Sequence, residues 1–488
     1  MSLSYEEDEK IATRKKKKSF SINNSTLILL AFSTAFYSRI FCSITGAPSA
    51  LNFFHFVSVS FALVVALATS RTRDRKQIAL SWTLLWWLLV FLGTMVASAL
   101  INGAGIINVV FNFLLLGEPF MFLLAIVVIP LSPASLKQMR LWLLVSALIN
   151  LLLAQLQRIL LLSGNISAAG MRGTMDATDG VQGVFFVTGA GGYVSAAVSV
   201  SAALYFFLYV KAVPLWIRIF GLIGAIHQIL ISDTKQVLLT SILAWVVLVL
   251  TKVQNIKKLL GYLIAFALAV SAFVWAAQNL EAFSVYGYWF GRSYLFGIDD
   301  PQNSALGVKS EGIRMVLSHY HSPLNWFFGL GPGHTLGRLG GWSIREYWTI
   351  LSRLGATDPP LYDEIWKFIN GNWLALTTTL VVPLFSWAGI WGDLGWVGLG
   401  VYLYLGFIVW QRLCLDDLSR FLLLTVFVYG FFLTQMEEPG FMLTIAAFIG
   451  LRWHENRSKF QNYLYERKSQ LQFSVLQDPS SFSPNRTP

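Results

Sequence analysis

Gly312-Ile313-Arg314-Met315-Val316-Leu317, followed shortly by Phe328-Gly329-Leu330-Gly331-Pro332-Gly333-His334, sits inside the only long polar interval of this chain, Asn279 to about Trp373. Acids, bases and aromatics gather there: Tyr294, Asp299, Asp300, Glu311, His319, His321, Arg338, Arg345, Glu346, Asp363 and Glu364. On either side the sequence is a succession of apolar runs. Those runs read as a membrane scaffold, and the polar interval reads as one large loop that carries the chemistry on the scaffold's outer face.

Composition agrees with that division. The 488 residues are 55% hydrophobic and 12% charged, with a mean hydropathy of +0.60. Soluble domains carry about 25% charged residues, so a soluble enzyme is excluded and an all-α polytopic membrane protein is expected. The 18 Trp and 17 Tyr suit ring-rich membrane interfaces. A net charge of +11 would suit nucleic acid, but the positions of the cations assign them to the inner membrane face instead, and no nucleic-acid partner is expected. Cys42 and Cys414 fall near opposite faces, which argues against a structural disulfide. No metal-ligand spacing is present, and Gly331-Pro332-Gly333 lacks the Gly-Lys-Ser/Thr ending of a phosphate-binding P-loop. The expectation is a protein without metal, nucleotide or other cofactor.

A helix of roughly 20 apolar residues crosses a bilayer. Runs of that kind occur at about 26–44, 50–69, 79–100, 106–130, 141–162, 191–210, 214–231, 237–251, 258–277, 394–410, 419–435 and 440–452, giving about twelve spans. Residues 1–24 form an inner tail with Lys15-Lys16-Lys17-Lys18, and 25–277 form the first nine helices. The outer loop is 278–392, the last three helices occupy 393–452, and 453–488 form a second inner tail whose Ser/Pro end is expected to be disordered. With the N-terminus inside, about 25 of the 36 Lys and Arg residues face the cytoplasm, so both termini are cytoplasmic. Residues 373–391 are apolar, but Pro383 and Gly389 interrupt them. Counting them as a span would invert the C-terminal tail, so they read as a re-entrant or interface-lying element.

Polar residues within spans need a purpose. Glu118, Gln155, Gln157 and Arg158 read either as an internal Glu118–Arg158 pair bracing the bundle or as the polar lining of a substrate cleft. His227 and Gln228 read as interhelical hydrogen-bonding groups. Two short outer loops each place a cation at the outer boundary: Gly170-Met171-Arg172-Gly173-Thr174-Met175-Asp176 and Ser232-Asp233-Thr234-Lys235-Gln236. Each cation suits either a lipid pyrophosphate head group or a local pair with Asp176 or Asp233.

These motifs together resemble the bacterial O-antigen ligase and polysaccharide polymerase (Wzy-like) membrane proteins. Glu311-Gly312-Ile313-Arg314 through Phe328-Gly329-Leu330-Gly331-Pro332-Gly333 is similar to that family's large-loop signature. The Arg172 loop, Ser232-Asp233-Thr234-Lys235 and Gly392-Asp393-Leu394-Gly395-Trp396-Val397-Gly398-Leu399 resemble its other elements, so the likeness runs from about Arg172 to Pro439. It departs at Lys235, where ligases tend to carry arginine, and at Asn370-Gly371-Asn372-Trp373, where they tend to carry a His-Asn pair. Both departures favour a polymerase over a ligase.

The resemblance implies a fold similar to GT-C-type glycosyltransferases and glycosyl transfer on the periplasmic side of a bacterial inner membrane. The implied donor is an undecaprenyl-pyrophosphate-linked oligosaccharide. A second lipid-linked repeat would be the acceptor in a polymerase, and a lipid core in a ligase. Membrane lipids, a polysaccharide flippase and a chain-length regulator are the implied partners. Arg172, Lys235 and Arg314 are candidates for binding pyrophosphate, while Glu311, His334, Asp363 and Glu364 are unranked candidates for acid–base catalysis. Tyr294, Trp326, Trp342 and Trp348 would either stack on sugar rings or form a small loop core. The rival class is a lipid-linked-sugar transporter or flippase using Glu118, Arg158 and His227 as pathway residues. No pair of similar halves speaks for it. A scaffold for polysaccharide-export partners is the third reading.

Overall fold

A computed structural model describes residues 23–164, 180–185, 190–252, 256–279 and 304–477. Every regular element among them is helical. The membrane part comprises α1 (Asn24–Thr45), α2 (Phe54–Thr69), α3 (Arg75–Asn102), α4 (Ile106–Val128), α5 (Pro133–Leu162), α6 (Gly191–Tyr209), α7 (Leu215–Ile231), α8 (Lys235–Lys252) and α9 (Ile256–Asn279). The polar interval folds into α10 (Ala305–Ser318), α11 (Pro323–Phe328), α12 (Tyr362–Gly371) and α13 (Trp373–Thr377), with short helical turns between α11 and α12. The chain then returns through α14 (Ser386–Arg412), α15 (Asp417–Tyr429) and α16 (Pro439–Gln477).

Helices lie on each of the twelve expected runs, although the eleventh, 419–435, is α-helical only as far as Tyr429. Among the described residues, eight helical stretches are long and apolar enough to cross a membrane: α1, Ser49–Thr69 ending in α2, α3, α4, α5, α6, α8 and α14. The chain is therefore an all-α polytopic membrane protein. Local chemistry sets the helix ends: Asp74 accepts from Lys76 N and Gln77 N to cap α3, Ser132 caps α5 with Pro133 in its first turn, and Asp416 caps α15.

Side-chain partners sort the helix ends into two layers. At one end Asp74 meets Arg457, Arg140 meets Glu455, and Lys252 meets Asp417. At the other, Arg39 meets Glu438, Asn102 meets Asn325, and Gly105 meets Thr357. The second layer carries the polar domain and is called the loop end here. Cys42 and Cys414 are both free thiols.

Three expectations need correction. Residues 373–391 do not form one element: α13 ends at Thr377, an irregular run follows, and α14 already begins at Ser386. Starting at Ser386 instead of 394, α14 breaks at Gly395, whose φ of 63° and ψ of −164° are non-helical. A Cβ at Gly395 would lie 2.3 Å from the Phe327 carbonyl carbon, so both conformation and contact demand glycine. Glu118 pairs not with Arg158 but with His55, Oε1 to Nδ1 at 2.7 Å, in a buried α2–α4 contact. Gln157 serves neither a Glu118 brace nor an open cleft. It pins residues 180–185, an irregular but buried segment, by accepting from Gln182 N and Gly183 N and donating to Gly183 O. Asn150 accepts from Val184 N in the same way. Irregular backbone at membrane depth needs such internal partners.

Candidate functional site

The signature stretch is the joint between the polar domain and the bundle. Leu330 N donates to Gly392 O at 2.8 Å and Gly331 N to Asp393 O at 3.0 Å. The Asp393 carboxylate accepts from Gly333 N (2.7 Å), Thr335 N (2.9 Å), Thr335 Oγ1 (2.7 Å) and Asn112 Nδ2 (3.0 Å). Four donors on one buried carboxylate bind the Gly-Leu-Gly-Pro-Gly turn to both α4 and α14. Gly312 has a packing reason, since a Cβ there would lie 2.9 Å from both Pro383 O and Leu336 Cδ1.

His334 closes this turn. Its Nδ1 pairs with Leu330 O at 2.9 Å, which requires the proton on Nδ1, and its Nε2 then accepts from the Thr357 hydroxyl at 2.7 Å. Burial pulls its pKa below the ordinary histidine value, keeping the ring neutral. Both nitrogens are committed. Trp342 packs in the polar domain's own core and Trp348 against the Phe56–Leu339 cluster. Trp326 joins a ring cluster with Tyr320 and Trp391.

The other sequence candidates spread over the loop end. Arg314 pairs with Glu311 at 3.2 Å on α10, in the exposed i,i+3 manner. Lys235 pairs with Asp233 at 2.9 Å. Asp363 lies 3.5 Å from Arg345 with its side chain 83% exposed. Glu364 lies 3.7 Å from His319. Arg172, Tyr294, Asp299 and Asp300 lie outside the described residues. The transport candidates join different helix pairs: Glu118 meets α2, whereas His227 Nδ1 meets Gln155 Oε1 of α5 at 2.9 Å.

A charged cluster that the sequence reading missed lies deeper. Glu437 and Glu438, in the α15–α16 connection, face Arg39 of α1 and Arg338 of the polar domain. Glu438 bridges both guanidiniums: Oε2 to Arg39 Nη2 at 2.8 Å and Oε1 to Arg338 Nη1 at 3.0 Å. All four residues are largely withdrawn from solvent, the most open, Arg338, having 12% of its side chain exposed. Glu437 Oε2 accepts from Arg338 N at 2.7 Å. Its Oε1 is buried without a hydrogen bond among the described residues, while the nearby Ser386 hydroxyl turns to Leu433 O.

The two neighbouring carboxyls titrate in opposite directions. Burial raises Glu437 to about 8 against the pull of Arg338. Burial acts on Glu438 in the same sense, but Arg338 and Arg39 together hold it below the ordinary range. At neutral pH the cluster thus holds two cations, one carboxylate and one proton-bearing carboxyl, a net positive charge. Beside it, the Lys309 ammonium is ringed by the carbonyls of Leu380 (3.2 Å), Val382 (3.0 Å) and Phe432 (2.5 Å). It ties α10 to the α15–α16 connection, and burial lowers its pKa to about 7.

Packing links the cluster to Phe185 and to the turn that carries Lys235. A Cβ on Gly440 would lie 2.2 Å from Phe185 Cε1, one on Gly191 2.3 Å from Phe185 O, and one on Gly192 3.4 Å from Thr234. Phe185, the start of α6 at Gly191-Gly192 and the turn before Lys235 therefore close on the same corner as Glu438. Below this corner an apolar groove of about 380 Å³ runs from Met436 and Trp387 at the loop end to Thr251 at the opposite end, past Phe120, Tyr402 and Ile445. Among the described residues no group of three or more His, Cys, Asp or Glu is placed to hold a metal ion.

Comparison with protein-family models, with curated proteins and with solved structures finds no match to this chain.

Proposed function

We propose that this protein is a membrane glycosyltransferase of the polymerase type, joining undecaprenyl-pyrophosphate-linked glycan repeats into a surface polysaccharide at the outer face of a bacterial inner membrane. The observation that carries this reading is the buried Arg39–Glu438–Arg338–Glu437 cluster where the polar domain closes on the bundle. In its ionised form, the minor one at neutral pH, Glu437 removes the proton from the acceptor hydroxyl. That oxygen attacks the anomeric carbon of the donor sugar, and the bond to pyrophosphate breaks. Arg39 and Arg338, held in place by Glu438, take up the charge of the departing undecaprenyl pyrophosphate, with Lys235 at the same corner and Arg172 as a further candidate cation. A carboxyl that ionises near pH 8 is a stronger base than an ordinary carboxylate, which suits proton removal from a sugar hydroxyl. The groove ending at Met436 offers the polyprenyl tail an apolar bed beneath the charged corner.

The test is surface polysaccharide from a deletion strain complemented with wild type, Glu437→Gln, Arg338→Ala, Arg172→Ala or Lys235→Ala at matched membrane expression. Single lipid-linked repeats that only wild type extends are the expected result. Long chains left unattached to a lipid core would make the protein a ligase. Unchanged polymer in the deletion strain would refute glycosyl transfer.

A further inference from the structure

A second concave site lies on the polar domain, apart from the charged corner. It is a cleft of about 440 Å³ between α10 and the α12–α13 pair. The α12 positions Glu364, Lys367, Phe368 and Gly371 recur at i, i+3, i+4 and i+7, so they share one helical face. On the adjoining side, Ile365 and Ile369, with Leu361 just before the helix, are buried in the domain core. Met315 of α10 closes one wall and Trp373 another. Trp373 is 47% exposed. Its backbone is nevertheless fixed, because the Asn372 side-chain oxygen Oδ1 caps α13 by accepting from Leu374 N (3.0 Å) and Ala375 N (2.9 Å).

We propose that this cleft is a saccharide-binding site for the glycan of the lipid-linked repeat, with Trp373, Glu364 and Lys367 as its recognition residues. This rests on the glycosyl-transfer reading above. The lining chooses the ligand class. An apolar ligand would strip water from the charged heads of Glu364 and Lys367 and offer them no hydrogen bond in return, which is costly. A polyanion would meet the Glu364 carboxylate. A pyranose ring satisfies every wall: its C–H face lies on the Trp373 indole, one hydroxyl donates to Glu364 and a neighbouring hydroxyl oxygen accepts from Lys367. Glu311, one turn before Met315 on the same α10 face, extends the polar rim along the direction a chain of sugars would run. The cleft grips the glycan away from the reacting bond, so it governs affinity for the repeat and not the chemical step.

The experiment uses the full-length protein in detergent and the oligosaccharide repeat released by mild acid from the host polysaccharide, free of lipid. Saturation-transfer NMR reads binding, and elongation of lipid-linked repeats by the same preparations reads KM and kcat. Wild type and Trp373→Phe are expected to transfer magnetisation to the sugar ring protons. Trp373→Ala and Lys367→Ala should bind roughly tenfold more weakly and raise KM similarly, with kcat little changed. Equal binding by wild type and both alanine variants, or no binding by any of them, overturns the cleft even if elongation proceeds. Binding that Trp373→Ala abolishes, in a protein that never elongates repeats, leaves the cleft standing and removes glycosyl transfer.

Discussion

At Glu437 burial outweighs the Arg338 contacts, so the folded protein holds a proton that an exposed glutamate releases near pH 4.5. Between about pH 4.5 and 8 the folded state therefore binds more protons than the unfolded one. Its contribution to stability is full below that window and is lost as pH rises through about 8. Thermal unfolding in detergent should show a midpoint that falls across this window in wild type and falls less in Glu437→Gln; parallel curves would contradict the assignment. Glu438 behaves differently because it already bears charge between two arginines. Glu438→Gln leaves Arg39 and Arg338 without their shared counter-charge and should cost about 3–5 kcal/mol, read as a lower unfolding midpoint. None of this was weighed from the sequence, although signals existed. Arg39 stands inside the first apolar run, and Glu437-Glu438 stands between the last two runs. With alternating spans these charges fall at one depth, but a contact 399 positions apart has no local trace. His334 was readable as a turn residue, because it follows Gly331-Pro332-Gly333 directly.

Among elements, the joint around Asp393 decides whether the polar domain stays docked. Asp393→Asn replaces one acceptor oxygen by an NH2 facing existing donors, and each mismatched buried group costs about 1–3 kcal/mol. Limited proteolysis of membranes should then cut between α9 and α14 faster than in wild type; an unchanged rate would show that the joint is held elsewhere. Gly395→Ala should have the same effect through strain. The all-helical scaffold and its eight membrane-length helices were legible because apolar runs of spanning length have few alternatives in lipid. The break at Gly395 was not, since a glycine-rich approach to a helix reads the same whether the helix starts after it or passes through it. The buried segment 180–185 was equally hidden: its partners Asn150 and Gln157 stand on α5, and the polarity of Gln157 read only as part of a brace or a cleft.

For the whole molecule, the ion pairs Asp74–Arg457, Arg140–Glu455 and Lys252–Asp417 lie at the end opposite the polar domain. In a cysteine-free background, Asp363→Cys should react with an impermeant maleimide on intact cells, whereas Lys137→Cys should react only after permeabilisation. The reverse pattern would invert the topology and remove the cluster from the outer face. A carrier and a glycosyltransferase can share such a scaffold, so topology alone does not separate them. The most direct measurement is the purified protein reconstituted in liposomes with a fluorescent lipid-linked repeat, sampled over time and resolved by glycan length. A ladder of longer lipid-linked products that Glu437→Gln fails to form is the predicted result. Repeats that move across the bilayer without any gain in length would contradict glycosyl transfer and make the protein a carrier.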